Sequence, residues 1–194
     1  HPAPHTIDLL KKSLLKLPSG IREIRIRGDS AFYDHTIVEF LQEIQAFYAI
    51  VARITKPIQH HFGGLRYEEV TPGVWVSEFE YKPWRWKTAH RFIVVRRLLP
   101  EKPSWQLSLF QMRGYTYQVI VTNLPLKPLN LWRFYNQRAT GELILRELLE
   151  AYTLGKIPSR DWASNQAYFH LVLFAYNLIN WFKRLCFPAD WQRL

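Results

Sequence analysis

Cysteine is almost absent from this sequence. One cysteine, Cys186, stands among 194 residues. An internal disulfide is therefore excluded, and so is a zinc site built from several cysteines. A lone thiol in a chain of this length favours a reducing compartment.

The motifs of several common enzyme classes are also missing. There is no G-x-x-x-x-G-K-[ST] loop, so nucleotide hydrolysis is not indicated, and no G-x-S-x-G turn of a serine hydrolase. The adjacent pair His60 and His61, which we expect in a loop, lacks the i,i+4 spacing of a helical zinc site.

Long hydrophobic runs are lacking as well. The longest uncharged stretch, Trp162 to Phe182, carries His170, Asn177 and Asn180 among other polar side chains. These groups would be costly in hydrocarbon, so the stretch predicts a buried amphipathic helix and no membrane partner. The first residues also lack the basic and apolar regions of a secretory signal.

Basic residues outnumber acidic residues in this sequence. The chain has 26 Lys plus Arg against 16 Asp plus Glu, a formal charge of +10 and a pI near 9.8. A disordered basic tail is excluded because 48% of the residues are hydrophobic. The excess of positive charge indicates a polyanionic partner, most simply nucleic acid.

Hydrophobic periodicity in the first part of the chain predicts alternating helices and strands. The predicted helices are Thr6–Leu17 and Asp34–Gln45, and the predicted strands are Ile21–Arg27 and Phe47–Ile54. A strand, a helix and a strand in succession form a βαβ unit, so we expect the two strands to be parallel neighbours.

The pattern changes after residue 55. Short runs between glycine and proline breaks predict an antiparallel meander with strands at Val74–Tyr81, Arg91–Arg97, Trp105–Phe110 and Tyr115–Thr122. Two helices, Leu129–Leu154 and Trp162–Leu185, follow. The fold class is α/β, with a core of residues 1–55 and 124–194 interrupted by a β-rich insertion of residues 56–123.

Two acidic residues lie at positions that suit a catalytic or ligand-binding role. Asp29 follows the first strand, at the sheet edge where α/β proteins bind ligands, although a capping or loop aspartate is the alternative. Glu142 follows Tyr135 and Arg138 at a spacing that places all three on one helix face. A solvated ion pair is the alternative there.

Both acids belong to strings that resemble a known family. Residues 27–33 read RGDSAFY, and residues 135–142 read YNQRATGE, which is similar to a Y-x2-R-x3-E signature. Further strings are YQVIVTNLP at 117–125, LGKIPSR at 154–160 and AYNLINWFKR at 175–184. Together they resemble the C-terminal part of a bacterial insertion-sequence DDE transposase, of the IS1380-like branch within the IS4-like group.

The resemblance implies an RNase H-like core, incomplete at its N-terminal side, with the β-rich insertion between the second and third catalytic acids. It implies that Asp29 and Glu142 are catalytic and ligate Mg²⁺, with Mn²⁺ as a substitute. Tyr135 and Arg138 would then position a DNA phosphate. None of these ions is expected to bind tightly to this chain alone.

The sequence departs from the family pattern at several positions. The family has a first catalytic aspartate on an earlier strand, but this chain begins after that point. Apart from Glu23, only Asp8 precedes Asp29 among the acidic residues, and Asp8 lies on a predicted helix. Leu149 stands where the signature has a lysine, and Arg146 is the nearest candidate substitute. We therefore expect a piece of a longer protein that is inactive by itself.

Cations and tryptophans alternate in the insertion. The candidate DNA contacts are Trp84, Trp86, Arg85, Lys87 and Arg91, with Trp75, Arg96 and Arg97 nearby. Such residues neutralise phosphates and stack on unpaired bases. The alternative, equally weighted, is that the tryptophans pack a small core while the cations face solvent.

The sequence thus predicts part of a DDE transposase that cuts and joins DNA by Mg²⁺-dependent phosphoryl transfer at transposon ends. A non-catalytic DNA-binding remnant and a two-metal nuclease of the same fold remain alternatives. The resemblance further implies a cytoplasmic bacterial protein, nucleoid-associated when bound to DNA, and a homodimer in its full-length form.

Overall fold

A computed structural model describes residues 5–99, 111, 112 and 114–188. The chain divides into two compact units, His1–Asn136 and Gln137–Leu194. The strand predicted at Trp105–Phe110 lies outside the described residues.

The first unit combines helices with one sheet. Its helices are α1 (Thr6–Leu14), α2 (His35–Glu43), α3 (Lys56–Phe62) and α4 (Pro128–Asn136). Its strands are β1 (Arg25–Gly28), β2 (Phe47–Val51), β3 (Glu68–Thr71), β4 (Val74–Tyr81), β5 (His90–Leu98), β6 (Gln111–Met112) and β7 (Tyr115–Thr122). The sequence did not predict α3, β3 or β6, and His60 and His61 lie on α3 rather than in a loop.

The predicted βαβ unit is confirmed. β1 and β2 are parallel, with Gly28 aligned with Ile50, and α2 connects them. Helix α2 begins where the Asp34 side chain accepts a hydrogen bond from the backbone N–H of Thr36, at 2.9 Å. The carboxyl ends of β1 and β2 consequently meet at one end of the sheet.

All the described strands belong to a single sheet. Their order is β1-β2-β7-β5-β4-β3, with β6 paired to β7, and only the pair β1 and β2 is parallel. Because β7 pairs with β2, the strands of residues 56–123 extend the sheet begun by residues 25–51. The sheet is therefore continuous across residue 55, where the sequence predicted the start of a separate insertion. Within the described chain, β1 forms one edge of the sheet.

The central strands of the sheet are buried on both faces, as alternation along β5 shows. Phe92 and Val94 pack into a cluster with α2, α3 and residues of β2. Ile93 points the other way and packs with Leu131 and Tyr135 of α4. Removing this apolar surface from water is the main stabilising contribution to the first unit.

The second unit contains two helices, α5 (Ala139–Glu150) and α6 (Trp162–Cys186). The predicted bounds of α6 are confirmed to within one residue at its end. The prediction that this helix is buried is wrong, because Val172 is its one buried residue and Leu171, Phe174 and Trp181 are among the exposed ones. The prediction of one helix over Leu129–Leu154 is wrong, because Gln137 and Arg138 form a turn between α4 and α5. Within the described residues, no helix combines the length and apolar character needed to cross a membrane.

Candidate active site

Asp29 lies immediately after β1, at the end of the sheet where the parallel strands terminate. It caps a short 3-10 turn, Ser30–Phe32, and its Oδ1 accepts a hydrogen bond from the backbone N–H of Ala31 at 2.9 Å. The side chain is half-buried. This cap engages Oδ1 only, so the observed capping role is compatible with ligation through the carboxylate.

Gly28 brings the strand end close to its neighbours. A Cβ atom at this position would lie 3.0 Å from Cβ of Phe32 and 3.4 Å from Cγ1 of Ile50. A Cβ contact of 3.0 Å is tighter than most that occur in proteins, so close approach, rather than a special backbone angle, favours glycine at this position. The tight turn fixes the direction in which Asp29 leaves the sheet.

Two arginines near this end of the sheet were not singled out from the sequence. The Nε of Arg53 donates to the carbonyl oxygen of Ser30 at 3.2 Å, which places a guanidinium beside the turn that Asp29 caps. Arg27 donates to the carbonyl of Phe134 at 3.1 Å and lies over its ring. No signal in the sequence pointed to Arg53, because the predicted strand Phe47–Ile54 included it, whereas the observed β2 ends at Val51.

Tyr135 and Glu142 do not share a helix face, contrary to the prediction. The turn at Gln137 and Arg138 ends α4 before α5 begins, so the continuous helical spacing on which that prediction depended does not exist. Tyr135 belongs to the first unit, where it is only 5% exposed and packs beside Leu131.

Glu142 lies in the first turn of α5 and pairs with Arg138. The carboxylate oxygen Oε1 is 2.6 Å from a terminal nitrogen of Arg138, and the Glu142 side chain is 59% exposed. This ion pair is the solvated alternative considered for the sequence. Arg146, the candidate replacement for the signature lysine, is exposed on the same helix.

The two predicted acidic ligands belong to different units, Asp29 to the first and Glu142 to the second. Carboxylate oxygens are the donors that Mg²⁺ prefers. The described part of the chain, however, contains no group of three or more His, Cys, Asp or Glu side chains arranged to hold a metal. Its donor set therefore does not by itself complete a divalent-metal centre.

Comparison with known families shows to which family the chain belongs. A family model described as Transposase DDE domain group 1 matches residues 7–194. The chain belongs to this family. No curated protein matches it. The resemblance to DDE transposases is thereby confirmed at the level of the family, whose members act on DNA and generally use divalent metals.

In this transposase DDE domain, the predicted DNA contacts fall into two groups. Trp84 is 80% exposed, and the Arg85 guanidinium lies 4.2 Å from the centre of its ring. Both residues are in the loop between β4 and β5. An aromatic face beside a cation in an exposed loop is suited to contact a nucleic acid.

The other predicted contacts are engaged within the fold. Trp86 is 7% exposed and packs edge-on against the ring of His90. Lys87 pairs with Glu39 at 2.7 Å. Arg91 pairs with Glu78 and donates to the carbonyls of Leu124 and Leu126 at 2.8 Å each. Trp86 thus packs as the alternative expects, whereas Lys87 and Arg91 form ion pairs instead of simply facing solvent.

Proposed function

We propose that this chain forms part of the catalytic domain of a transposase that cuts and joins DNA, with an RNase H-like core. The observation that carries the proposal is the position of Asp29, at the carboxyl end of a parallel strand, in a chain matched to the family over residues 7–194. Ligand and catalytic groups concentrate at this end of α/β sheets.

In this proposal Asp29 and Glu142 are two of the carboxylates that hold divalent metal, Mg²⁺ or Mn²⁺, and a third donor comes from outside the described residues. A bound pair of such ions would supply activation of the attacking oxygen and stabilisation of the leaving oxygen. The chain itself orients the carboxylates, Asp29 through the capped turn and Glu142 through its pair with Arg138.

The cations have separate roles in the proposal. Arg53, beside the Asp29 turn, and Arg85, beside Trp84, contact DNA phosphates. Arg138 positions the Glu142 carboxylate, since the ion pair already joins the two side chains. Tyr135 has no direct DNA contact in this proposal, because it is buried in the core of the first unit.

Manganese titration followed by NMR tests the proposal without requiring activity. Mn²⁺ broadens amide signals near its site, and we expect signals beside Asp29 and beside Glu142 to broaden over the same Mn²⁺ range. Asp29→Asn should abolish both effects. Asparagine caps helices about as well as aspartate, so this variant removes the charge and keeps the turn.

Asp34→Asn is the matched control, because Asp34 also caps a helix through a backbone N–H but lies outside the proposed centre. The amide signals of this variant should broaden with Mn²⁺ as they do in the wild type. Equal broadening in Asp29→Asn, or broadening near Asp29 and Glu142 at clearly different Mn²⁺ concentrations, would contradict a shared metal centre.

A non-catalytic DNA-binding module is the second candidate. The absence of a three-donor group among the described residues favours it, as does Leu149 at the position of the signature lysine. For such a module, Asp29→Asn leaves DNA affinity unchanged or raises it, because a negative charge is removed. On either proposal the 194-residue chain nicks no DNA in Mg²⁺, and a plasmid-relaxation assay would detect nicking if it did.

A further inference from the structure

Helix α6 contacts α5 and the residues after it along one side. Val172, its one buried residue, lies on that side midway between Tyr168 and Tyr176. The hydroxyl of Tyr176 donates to the carboxylate of Glu147 on α5 at 3.4 Å. The hydroxyl of Tyr168 lies 2.9 Å from that of Thr153, just after α5. These contacts belong to the second unit and occupy one side of α6, so its other sides are available.

Another side of α6 carries large apolar side chains that solvent reaches. They recur at alternating intervals of three and four residues, which is the heptad spacing of helices that pair along a shared seam. At about 100° per residue, the centre of this row lies about 140° around the helix axis from Val172. Each member is more than half exposed. We call this row the α6 stripe, and its members are Leu171, Phe174, Leu178, Trp181 and Leu185.

The area of the α6 stripe suits a stable association. At about 150–250 Å² for a large side chain, and with more than half of each exposed, the stripe presents on the order of 600 Å². The largest apolar patch on a typical monomer measures about 300–600 Å². Two copies that cover each other's stripes remove about 1,200 Å² from water, which is the lower end of the range for specific, stable interfaces.

The stripe complements itself in size when two α6 helices run in opposite directions. Ser164 and Ala167 continue its heptad spacing toward the start of the helix, with small side chains. One antiparallel alignment places each of these small residues opposite a large one, so that side chains of unequal size interdigitate. Its layers, each occurring twice by symmetry, are Ser164 with Trp181, Ala167 with Leu178, and Leu171 with Phe174 of the second copy.

Charges at the two ends of α6 favour the same direction. Lys183 and Arg184 lie in its last turn, and Asp161 caps its start. In the antiparallel alignment, Arg184 lies level with Asp161 of the second copy, and the two helix dipoles oppose each other. A parallel pair would instead place Lys183 and Arg184 beside the same two cations of the second copy, which is unfavourable.

We propose that two copies of this chain associate through the α6 stripe, as an antiparallel pair of α6 helices. The occupant of the stripe is a second copy because the stripe matches its own reversed image in size and in charge. The association needs neither DNA nor a divalent metal, so it does not depend on the roles proposed for Asp29 and Glu142.

Sedimentation equilibrium of the 194-residue chain, without DNA or metal, measures the association. We expect a dimer with a dissociation constant of micromolar order, as for interfaces of modest area. Leu178→Glu should weaken it at least about 100-fold, because each dimer would bury two unpaired carboxylates. Leu178→Met, which conserves volume, should keep it.

Phe169→Glu is the matched control. Phe169 is a large apolar residue of the same helix, 43% exposed, and it lies on the side of α6 opposite to the stripe. The dimer constant of this variant should stay close to that of the wild type. Thermal melts establish that each variant is folded, and Phe174→Ser gives an independent weakening of the stripe without adding charge.

The direction of pairing is measured at Cys186. It is the single cysteine of the chain and is exposed, so one nitroxide label can be attached to each copy. In the antiparallel alignment the two labels lie about 40 Å apart, at about 1.5 Å per helical residue, whereas a parallel pair brings them within about 20 Å. Pulsed EPR distinguishes these distances, and sedimentation establishes that the labelled chain still forms dimers.

Three outcomes would overturn the proposal. One is a chain that stays monomeric at about 1 mM; a lowered melting temperature of Leu178→Glu would then assign the stripe to packing within one chain, and an unchanged one to a different partner. Another is a dimer that Leu178→Glu and Phe174→Ser leave intact. The third is a label separation near 20 Å. None of these outcomes affects the Mn²⁺ titration, which tests the proposed function separately.

Discussion

Gly28 determines how the predicted catalytic aspartate leaves the sheet, and a single methyl group tests this. In Gly28→Ala the new Cβ would lie 3.0 Å from Cβ of Phe32 and 3.4 Å from Cγ1 of Ile50. Either the turn or Phe32 must shift. We expect a loss of about 1–3 kcal/mol in the free energy of unfolding, measured by urea denaturation.

The shift should also reach Asp29, because its cap of Ala31 depends on the same turn. Amide chemical shifts around Ala31 provide the second measurement. If the Gly28→Ala variant is as stable as the wild type, with unchanged shifts at Ala31, the close approach is not a constraint.

His90 provides a pH-dependent prediction. It is 8% exposed, its Nδ1 lies 2.9 Å from the Tyr48 hydroxyl, and burial lowers its pKa below the usual 6.5 against the opposing effect of Glu39. The unfolded chain therefore binds a proton at this residue more readily than the folded chain. Stability should be fully present above about pH 6.5 and should fall as the pH drops below that value.

Urea denaturation at a series of pH values measures the effect. His90→Gln should flatten the fall below pH 6.5, whatever it does to stability at neutral pH. His60→Gln, a change at an exposed histidine on α3, should keep the wild-type dependence. An unaltered slope in His90→Gln would assign the pH dependence to other groups.

At the residue scale, the sequence predicted Asp29 because a glycine and an aspartate follow a strand. It did not predict the contacts of Arg96, although the residue was noted among the cations. Its ring neighbours, Tyr67, Trp75 and Tyr115, come from β3, β4 and β7 or their flanks, and only pairing between strands brings them together. Contacts of this kind are not encoded in local spacing.

Among the secondary-structure elements, α5 contains a glycine that packing does not require. A Cβ at Gly141 would meet nothing within 4 Å. Gly141→Ala removes the entropic penalty of a helical glycine, so we expect α5 to gain up to about 1 kcal/mol of stability. Hydrogen exchange of the α5 amides measures this gain directly, and faster exchange in the variant would contradict it.

The break between α4 and α5 shows the limit of periodicity. The strands at Val74–Tyr81 and Tyr115–Thr122 were predicted at their observed ends, because alternation stops where they stop. Apolar spacing instead runs on through Gln137 and Arg138, so it predicted a single helix. A turn of two residues leaves little trace in a pattern averaged over several helical turns.

For the molecule as a whole, the net charge of +10 predicts DNA binding that weakens with salt. The structure distinguishes which cations contribute. Arg85→Gln should reduce the slope of log affinity against log salt by about 0.9, the value for one phosphate contact. Arg91→Gln should leave the slope unchanged, because its guanidinium is held by Glu78 and two backbone carbonyls.

Arg91→Gln should lower the thermal stability instead, which separates a structural cation from a DNA contact. Fluorescence anisotropy across a salt series gives the slopes, and a thermal melt gives the stability. Equal slope changes in the two variants would contradict this division.

Sheet continuity was the largest feature that the sequence did not predict. The change in pattern after residue 55 suggested a separate insertion, yet β7 pairs with β2. The Asn123 side chain adds to this join, since it accepts from the N–H of Tyr48 at 2.8 Å and donates to Ala46. Such pairing between residues about 75 apart depends on the folded chain, and local patterns carry no record of it.

The position of β1 at one border of the sheet affects how the protein behaves in concentrated solution. No described strand pairs with its outer side, so its backbone groups there are able to join a strand of another molecule. Arg25 and Arg27 alternate along it, and Arg25 is paired with Glu23. The charge of Arg27 repels an identical strand, and because added salt screens that repulsion, we expect the tendency of separate molecules to associate through this border to rise with ionic strength.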